Sequence, residues 1–196
     1  MIYYIADIHF GHSKVIQMDN RPFETIEEMN SFIMEAWKST VTDHDTVYIL
    51  GDLCYKSARP ASWYLERLPG EKHLIIGNHD KWVASSTRNL LESVDYLKVI
   101  KDGDRKVTLC HYPLAEWPHY YQEGYHVFGH IHNNINSASK FMENEPRALN
   151  AGVMLNGYKP CTLDELIQNR KFRRDSNDMC HRGLPRRFQS LLPGKW

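Results

Sequence analysis

Side chains that can bind a metal ion follow almost every predicted strand of this sequence. Their types are carboxylate, amide and imidazole, and none of them is a thiolate. In order along the chain they are Asp7, His9, Asp52, Asn78, His111, His130 and His132, with His79 and Asp80 directly after Asn78. Ligands of open α/β sheets bind beyond the carboxyl ends of the strands, so we expect these side chains to converge on one site.

The spacing of these residues indicates a site for two divalent ions. Asp7 and His9 are two positions apart, which places both side chains on one side of an extended segment, and His130 and His132 repeat this spacing. Oxygen and nitrogen ligands without sulfur suit Mn, Fe, Zn or Mg. Seven ligands exceed the needs of one ion, so two ions about 3.5–4 Å apart that share one bridging carboxylate are the economical arrangement.

Short apolar or β-branched runs bounded by turn residues predict the strands that position these ligands. The predicted strands are residues 2–6, 46–50, 73–76, 107–110 and 125–129. Helical patterns lie between them at 26–39 and 63–68, and a further helix is predicted to begin after Thr162 and to end near Asn169. Thr25 with Glu28, and Thr162 with Glu165, have the spacing of capping boxes.

The alternation of strands and helices in the first half predicts an α/β unit with parallel strands. The second half differs, because Asp102-Gly103 between residues 96–101 and 105–110 is typical of a β-hairpin. A mixed sheet, or two packed sheets, is therefore expected.

Composition is that of a folded globular protein. The 196 residues include 24 Lys+Arg and 24 Asp+Glu, and 42% of the residues are hydrophobic. No apolar run reaches the roughly 20 residues that span a bilayer, and the first residues lack the pattern of a secretory signal, so we expect a soluble, cytoplasmic protein. The four cysteines form no Cys-X-X-Cys pair, which favours reduced structural thiols.

Charge is unevenly distributed along the chain. Residues 170–196 contain eight basic and two acidic residues, which makes the preceding part acidic. We therefore divide the chain into a domain over residues 1–169 and a basic C-terminal extension over residues 170–196, whose aromatic and apolar residues suggest that part of it docks onto the domain.

The ordered motifs resemble the signature of the calcineurin-like metallophosphoesterase superfamily. They are Asp7-Ile8-His9, Gly51-Asp52, Gly77-Asn78-His79-Asp80, His111 and Gly129-His130-Ile131-His132. Each motif is weak alone, but all five in order are very specific. The start of the chain, with Asn20-Arg21-Pro22-Phe23, looks like a small bacterial and phage-type subgroup. The resemblance implies an α/β fold of two packed mixed β-sheets flanked by helices.

The resemblance also implies a role for each motif residue. Two divalent ions would be bound, with Mn the first candidate and Fe, Zn, Mg or Ni as alternatives. Asp7, His9 and His132 would hold one ion, Asn78, His111 and His130 the other, and Asp52 would bridge them. His79 would protonate the leaving oxygen or stabilise the phosphoryl charge, and Asp80 would orient His79.

Some residues near the motifs have two interpretations. His12 could contact the substrate phosphate or cap the following helix, and Arg21 could bind phosphate or form a salt bridge. Asn150 could brace a ligand. Residues 117–121 are rich in aromatic side chains and could stack on a base, although packing is the favoured interpretation.

The predicted function is hydrolysis of a phosphodiester, or of a phosphomonoester, by in-line attack of a hydroxide that bridges two metal ions. The partner is then a phosphate-ester substrate, with nucleotides and nucleic acids among the candidates, and the oligomeric state is open. The competing hypothesis is a non-catalytic scaffold of the same fold that binds a protein or nucleic-acid partner.

Overall fold

The computed structural model describes residues 1–81, 83 and 85–175. Eight strands in this part of the chain form two four-stranded sheets. The strands are β1 (Ile2–Ile5), β2 (Thr46–Ile49), β3 (Glu71–Ile75), β4 (Ser93–Asp95), β5 (Leu97–Asp102), β6 (Arg105–Cys110), β7 (Tyr125–Phe128) and β8 (Ala148–Asn150). The helices are α1 (Lys14–Met18), α2 (Ile26–Thr40), α3 (Ala61–Leu65), α4 (Ser85–Arg88), α5 (Ser137–Glu143) and α6 (Leu163–Asp175).

The first sheet has the strand order β1-β2-β3-β4, and all of its pairings are parallel. In the register of the first pair, Ile5 lies opposite Ile49. Parallel pairing places the carboxyl ends of these strands at one edge of the sheet, where Asp7, Asp52 and Asn78 follow. The predicted parallel α/β unit is thus confirmed.

The second sheet is mixed, with the order β5-β6-β7-β8. β5 and β6 form the predicted antiparallel hairpin, in which Asp102 lies opposite Arg105 and Gly103 adopts a positive φ of 60°. The pairs β6–β7 and β7–β8 are parallel. His111 and Gly129 consequently follow their strands at the same edge.

The two sheets pack face to face. Tyr4, Leu50 and Ile75 of the first sheet share one buried cluster with Val107 and Val127 of the second. The chain after β8 then returns to β1, because the N–H of Ala6 donates to the carbonyl of Ala151 at 3.0 Å. This link brings the end of β1 close to the ends of β7 and β8, which confirms the expected architecture of two packed sheets.

Helices and loops cover the outer faces of the sheets. The amphipathic helix α2 buries Ile33 and Trp37 against the first sheet. Trp117 and Met142 pack on Phe128 of the second sheet. The burial of Trp117 in this cluster favours the packing interpretation of the aromatic segment, although Tyr121 within it is exposed.

The two predicted capping boxes differ in the structure. The hydroxyl of Thr25 accepts the N–H of Glu28 at 3.1 Å, but the Glu28 carboxylate accepts from Glu24 instead of Thr25. The second box is complete: the Thr162 hydroxyl accepts from the Glu165 N–H, and the Glu165 carboxylate accepts from the Thr162 N–H. Thr162 therefore caps α6, which begins directly after it as predicted.

The end of α6 was predicted too early. The helix continues past Asn169 to Asp175. Asn residues often end helices because their side chains compete for backbone groups, but the Asn169 side chain donates to the Asn156 Oδ1 atom at 2.8 Å and is buried. The rest of the basic extension, residues 176–196, lies outside the described residues, so its docking remains a prediction.

Two expectations from composition can be followed in the described part of the chain. Cys54, Cys110 and Cys161 are buried free thiols, and Cys180 lies outside this part. Among the helices of the described residues, none has both the length and the apolar character needed to cross a membrane.

Candidate metal centre

Sharp turns after the strands bring the predicted ligands together. Five of the seven adopt positive φ angles between 51° and 69°, a conformation that non-glycine residues seldom adopt and that concentrates at functional sites. These five are Asp7, His9, Asp52, His130 and His132. Such turns direct side chains from several strand ends toward one point, at a local energetic cost that the surrounding structure must offset.

The first group of ligands consists of Asp7, His9 and His132, and Asp52 lies beside it. One ligand atom from each of these four residues lies within 4.8 Å of the ligand atoms of the other three. The Nε2 atoms of His9 and His132 are 3.2 Å apart, and His132 Nε2 is 3.7 Å from Asp7 Oδ1. The arrangement is that of four donors around a common centre.

The second group consists of Asn78, His111 and His130. The Asn78 Oδ1 atom lies 3.1 Å from His111 Nε2 and 2.9 Å from His130 Nδ1. Asp52 joins the two groups, because its Oδ2 atom is 3.6 Å from His9 Nε2 and 3.7 Å from His111 Nε2. All seven sequence-predicted ligands are therefore brought together.

An unpaired carboxylate oxygen indicates that this cluster fits a metal ion. Among the described residues, the buried Asp7 Oδ2 atom is one that has no hydrogen-bond partner. An unpaired buried polar atom is costly, and a bound cation removes that cost for a carboxylate oxygen. The oxygen and nitrogen donors suit a hard or borderline divalent ion.

Hydrogen bonds fix which nitrogen atoms face the centre. His111 Nδ1 lies 2.8 Å from the carbonyl oxygen of Leu50, to which it donates. His132 Nδ1 lies 2.8 Å from the Asp19 carboxylate. In both rings the proton on Nδ1 leaves the Nε2 lone pair for an ion.

Burial sets the electrostatics of the cluster. It raises the pKa of Asp7 and of Asp52, and it lowers the pKa of His9, because a charged form is poorly solvated there. Burial also disfavours the charged form of His132, but the hydrogen bond to Asp19 and the charge of Asp7 outweigh it and raise the His132 pKa. Bound cations would stabilise the ionised carboxylates.

Two glycines permit the close approach of the loops. A Cβ atom at Gly51, which has φ of 83°, would lie 2.3 Å from His111 Nδ1. A Cβ atom at Gly77 would lie 2.4 Å from Asp52 Oδ1. Side chains at either position would displace a predicted ligand.

His79 lies beside the cluster and is half-buried. Its backbone N–H donates to Asp52 Oδ1 at 2.9 Å, and its ring centroid is 5.5 Å from that of His9. The ring also lies against Tyr55, at a centroid distance of 4.1 Å. This position leaves the imidazole next to the ligands without making it one of them.

Asp80 lies beneath the loops. Its carboxylate accepts the backbone N–H groups of Asp52, Leu53 and Gly77 at 2.8–3.1 Å. These contacts tie the turn after β2 to the turn after β3. They indicate that Asp80 positions Asp52, and its orientation of the His79 ring stays a prediction.

The two residues predicted to bind substrate differ in position. The ring of His12 lies 5.4 Å from that of His9 and 4.9 Å from that of Tyr55, at the edge of the site. Of the two interpretations of Arg21, the structure shows the salt bridge and not the phosphate contact. Its guanidinium is fully buried, and its N–H groups donate to Asp19, to two backbone carbonyls and to a methionine sulfur, which leaves none for a substrate.

Three residues near the centre were missed from the sequence. Asp19 contacts His132, Tyr55 covers His79, and the ring of Tyr112 lies 4.6 Å from that of His130 while remaining 44% exposed. Tyr112 directly follows the ligand His111, so its position along the chain was an available signal. Asp19 had no comparable signal. Asn150 braces the site as considered, because its side chain donates to the carbonyl of His132 at 3.0 Å.

Comparisons with known proteins agree with this geometry. The model of the calcineurin-like phosphoesterase family matches residues 1–185. An uncharacterized protein of Methanocaldococcus jannaschii is 35% identical over 183 residues, which are 91% of this chain and 97% of that protein. The gene 66 protein of Mycobacterium phage L5 is 37% identical over 82 residues, or 40% of this chain and 39% of that one.

A solved structure shares the fold. It is a protein of unknown function from Aquifex aeolicus, with 24% sequence identity and a TM-score of 0.68, and the alignment covers 86% of this chain and 98% of that one. The family model spans every motif from Asp7 to His132. We conclude that the chain belongs to the calcineurin-like phosphoesterase family.

Proposed function

We propose that this protein is a phosphohydrolase that cleaves a phosphodiester, or less readily a phosphomonoester, at a centre of two divalent metal ions. Membership of a phosphoesterase family supports a hydrolase and the use of divalent ions. The observation that carries the two-ion proposal is the position of Asp52, whose Oδ2 atom lies at nearly equal distances from a histidine of each ligand group. One carboxylate oxygen between two sets of donors is the arrangement expected of a bridging ligand.

Each ligand group would hold one ion. Asp7, His9 and His132 would bind the first, and Asn78, His111 and His130 the second. When bound, the two ions would activate a water molecule and neutralise the charge of the phosphate in an in-line displacement. Mn²⁺ is the first candidate, because carboxylate, amide and imidazole donors suit it, with Fe, Zn, Mg and Ni as alternatives.

His79 would act on the leaving group. An alkoxide leaves slowly unless it receives a proton, and the His79 imidazole lies beside the ligand cluster, where it can supply one. The backbone hydrogen bond from His79 to Asp52 holds the main chain of His79 against the shared carboxylate. Asp80 acts further out, by holding both loops.

The walls of the site favour a substrate with an aromatic group. Tyr55 and His12 lie on the His9 side, and Tyr112 lies against His111 and His130 on the other. Exposed aromatic rings can stack on a base or an aryl group. Nucleotide or nucleic-acid esters are therefore the substrates to examine first.

The test compares hydrolysis of bis(p-nitrophenyl) phosphate and p-nitrophenyl phosphate by chelator-treated protein with and without added Mn²⁺. We expect Mn²⁺-dependent activity that is higher on the diester, and its loss in Asp52→Asn together with weaker binding of both ions. Asp164→Asn is the control. Asp164 is exposed and pairs with Arg105 at the start of β6, whereas His111 follows the other end of that strand. Wild-type protein that binds Mn²⁺ and remains inactive on these esters and on nucleotide diesters would instead support a scaffold.

A further inference from the structure

A buried ion pair lies behind the first ligand group. Asp19 and Arg21 follow helix α1, and both side chains are almost completely inaccessible to solvent. The Arg21 Nε and Nη2 atoms donate to Asp19 Oδ2 at 3.0 and 2.8 Å. Burial of two charges is expensive, so a pair kept at this position calls for an explanation beyond stability.

The Arg21 guanidinium also holds the main chain that carries two ligands. Its Nη2 atom donates to the carbonyl of Asp7 at 2.9 Å, and its Nη1 atom donates to the carbonyl of Ile8 at 3.0 Å. Asp7 and His9 both have left-handed backbone conformations, with φ of 55° and 56°. Hydrogen bonds to the carbonyls between these two residues hold the strained turn in place.

The Asp19 carboxylate holds the remaining ligand of the first group. Its two oxygens lie 2.8 and 2.9 Å from His132 Nδ1. The bond keeps the proton on Nδ1, so that Nε2 faces His9 Nε2 and Asp7 Oδ1. A carboxylate that accepts from a ligating imidazole fixes its orientation and makes it a stronger ligand.

We propose that Asp19 and Arg21 are positioning residues that set the affinity of the first ligand group, Asp7, His9 and His132, for its metal ion, while leaving the second group largely unaffected. This inference rests on the proposed function. In the described part of the chain, the hydrogen bonds of these two side chains reach the first group and its main chain, and none reaches Asn78, His111 or His130. The expected effect is therefore selective for one ion.

The test is a titration of the chelator-treated full chain with Mn²⁺ by isothermal calorimetry, with stoichiometry checked by equilibrium dialysis. In Asp19→Asn we expect one ion to bind about 10–100-fold more weakly and the other to keep its wild-type affinity. Asp45→Asn is the matched control: Asp45 is also a buried, hydrogen-bonded carboxylate, but it contacts Thr42 and the N-terminus, so both ions should bind as in the wild type.

A second variant covers the case in which Asp19→Asn does not fold. Arg21→Lys keeps a positive charge beside Asp19, but a single ammonium nitrogen cannot replace the three guanidinium nitrogens that contact Asp19 and both carbonyls, so it should also weaken one ion selectively. Equal weakening of both ions, or unchanged binding of both in variants shown to be folded by urea unfolding, would overturn the inference alone. Wild-type protein that binds no Mn²⁺ would overturn the proposed function as well.

Discussion

Single side chains of the site divide their atoms between contacts to the protein and the proposed metal ions. Asp52 shows this division within one carboxylate. Its Oδ1 atom accepts the N–H of His79, and its Oδ2 atom is directed between His9 and His111. One oxygen therefore holds the loop while the other is left for ligation, which explains why a conservative change at this residue should affect both ions.

Removal of the His79 side chain should separate catalysis from metal binding. We expect His79→Ala to bind two Mn²⁺ ions as the wild type does, while kcat on the diester falls by roughly 10²–10⁴-fold, the usual scale for loss of an acid–base group. Rates and Mn²⁺ stoichiometry measured on the same preparations test this. His44→Ala, at an exposed histidine before β2, is the control, and an active His79→Ala variant would contradict the role given to His79.

The cluster of candidate ligands could be predicted from the sequence, but the residues behind it could not. Ligand chemistry is visible in residue type and order, so Asp7 and His132 could be proposed as ligands without a structure. The role of Arg21 depends on a contact in space instead: its partner Asp19 meets His132 across 113 positions of the chain. No local pattern carries that information, and the sequence therefore left a phosphate contact and a salt bridge as alternatives for an arginine that is wholly buried.

At the level of elements, the turns that follow the strands build the site. The strands are short and apolar, and their pairing was predictable from alternation and turn residues. The left-handed backbone conformations of five ligand residues were not predictable, since residues other than glycine rarely adopt them and only the packed loops impose them. The short strand β4, with its polar Ser93 and Asp95, was missed because it lacks an apolar run.

The turn at Gly51 offers a direct test of the claim that the turns after the strands build the site. In Gly51→Ala the new methyl group would collide with the His111 ring and the residue would keep a strained positive φ. We expect a loss of roughly 1–3 kcal/mol in the free energy of unfolding and weaker binding of Mn²⁺. Urea unfolding and calorimetry measure the two effects.

Gly103→Ala is the matched control for this change. Gly103 also has a positive φ, of 60°, but an added Cβ atom would have no heavy atom within 4 Å. The Gly103→Ala variant should lose some stability through backbone strain and keep its affinity for Mn²⁺. Equal Mn²⁺ affinity in the two variants would contradict the role assigned to Gly51.

For the whole molecule, one buried histidine away from the centre should contribute to the loss of stability in acid. His126 lies in the core of the second sheet, and burial lowers its pKa from 6.5 to about 4. Its Nε2 atom accepts the N–H of Leu114, and Nδ1 donates to the carbonyl of Thr108, so the neutral ring satisfies both bonds and protonation of Nε2 would break the first.

The sign of the effect follows from proton uptake. Below pH 6.5 the unfolded chain protonates His126 before the folded protein does, so this group's contribution to stability is complete above that pH and is lost as the pH falls toward 4. Between about pH 7.5 and about pH 5 we expect a loss of about 2 kcal/mol from this residue. Urea unfolding of chelator-treated wild type and His126→Gln should show a smaller decrease in the variant, and parallel pH profiles would contradict the assignment.

Each ligand group takes donors from both sheets. Asp7, His9, Asp52 and Asn78 follow strands of the first sheet, and His111, His130 and His132 follow strands of the second. An ion in either group would therefore link the two sheets at one edge and oppose any motion that separates them. Hydrogen exchange of the amides between the sheets should slow when Mn²⁺ is added, because loss of the metal becomes a step that must precede opening.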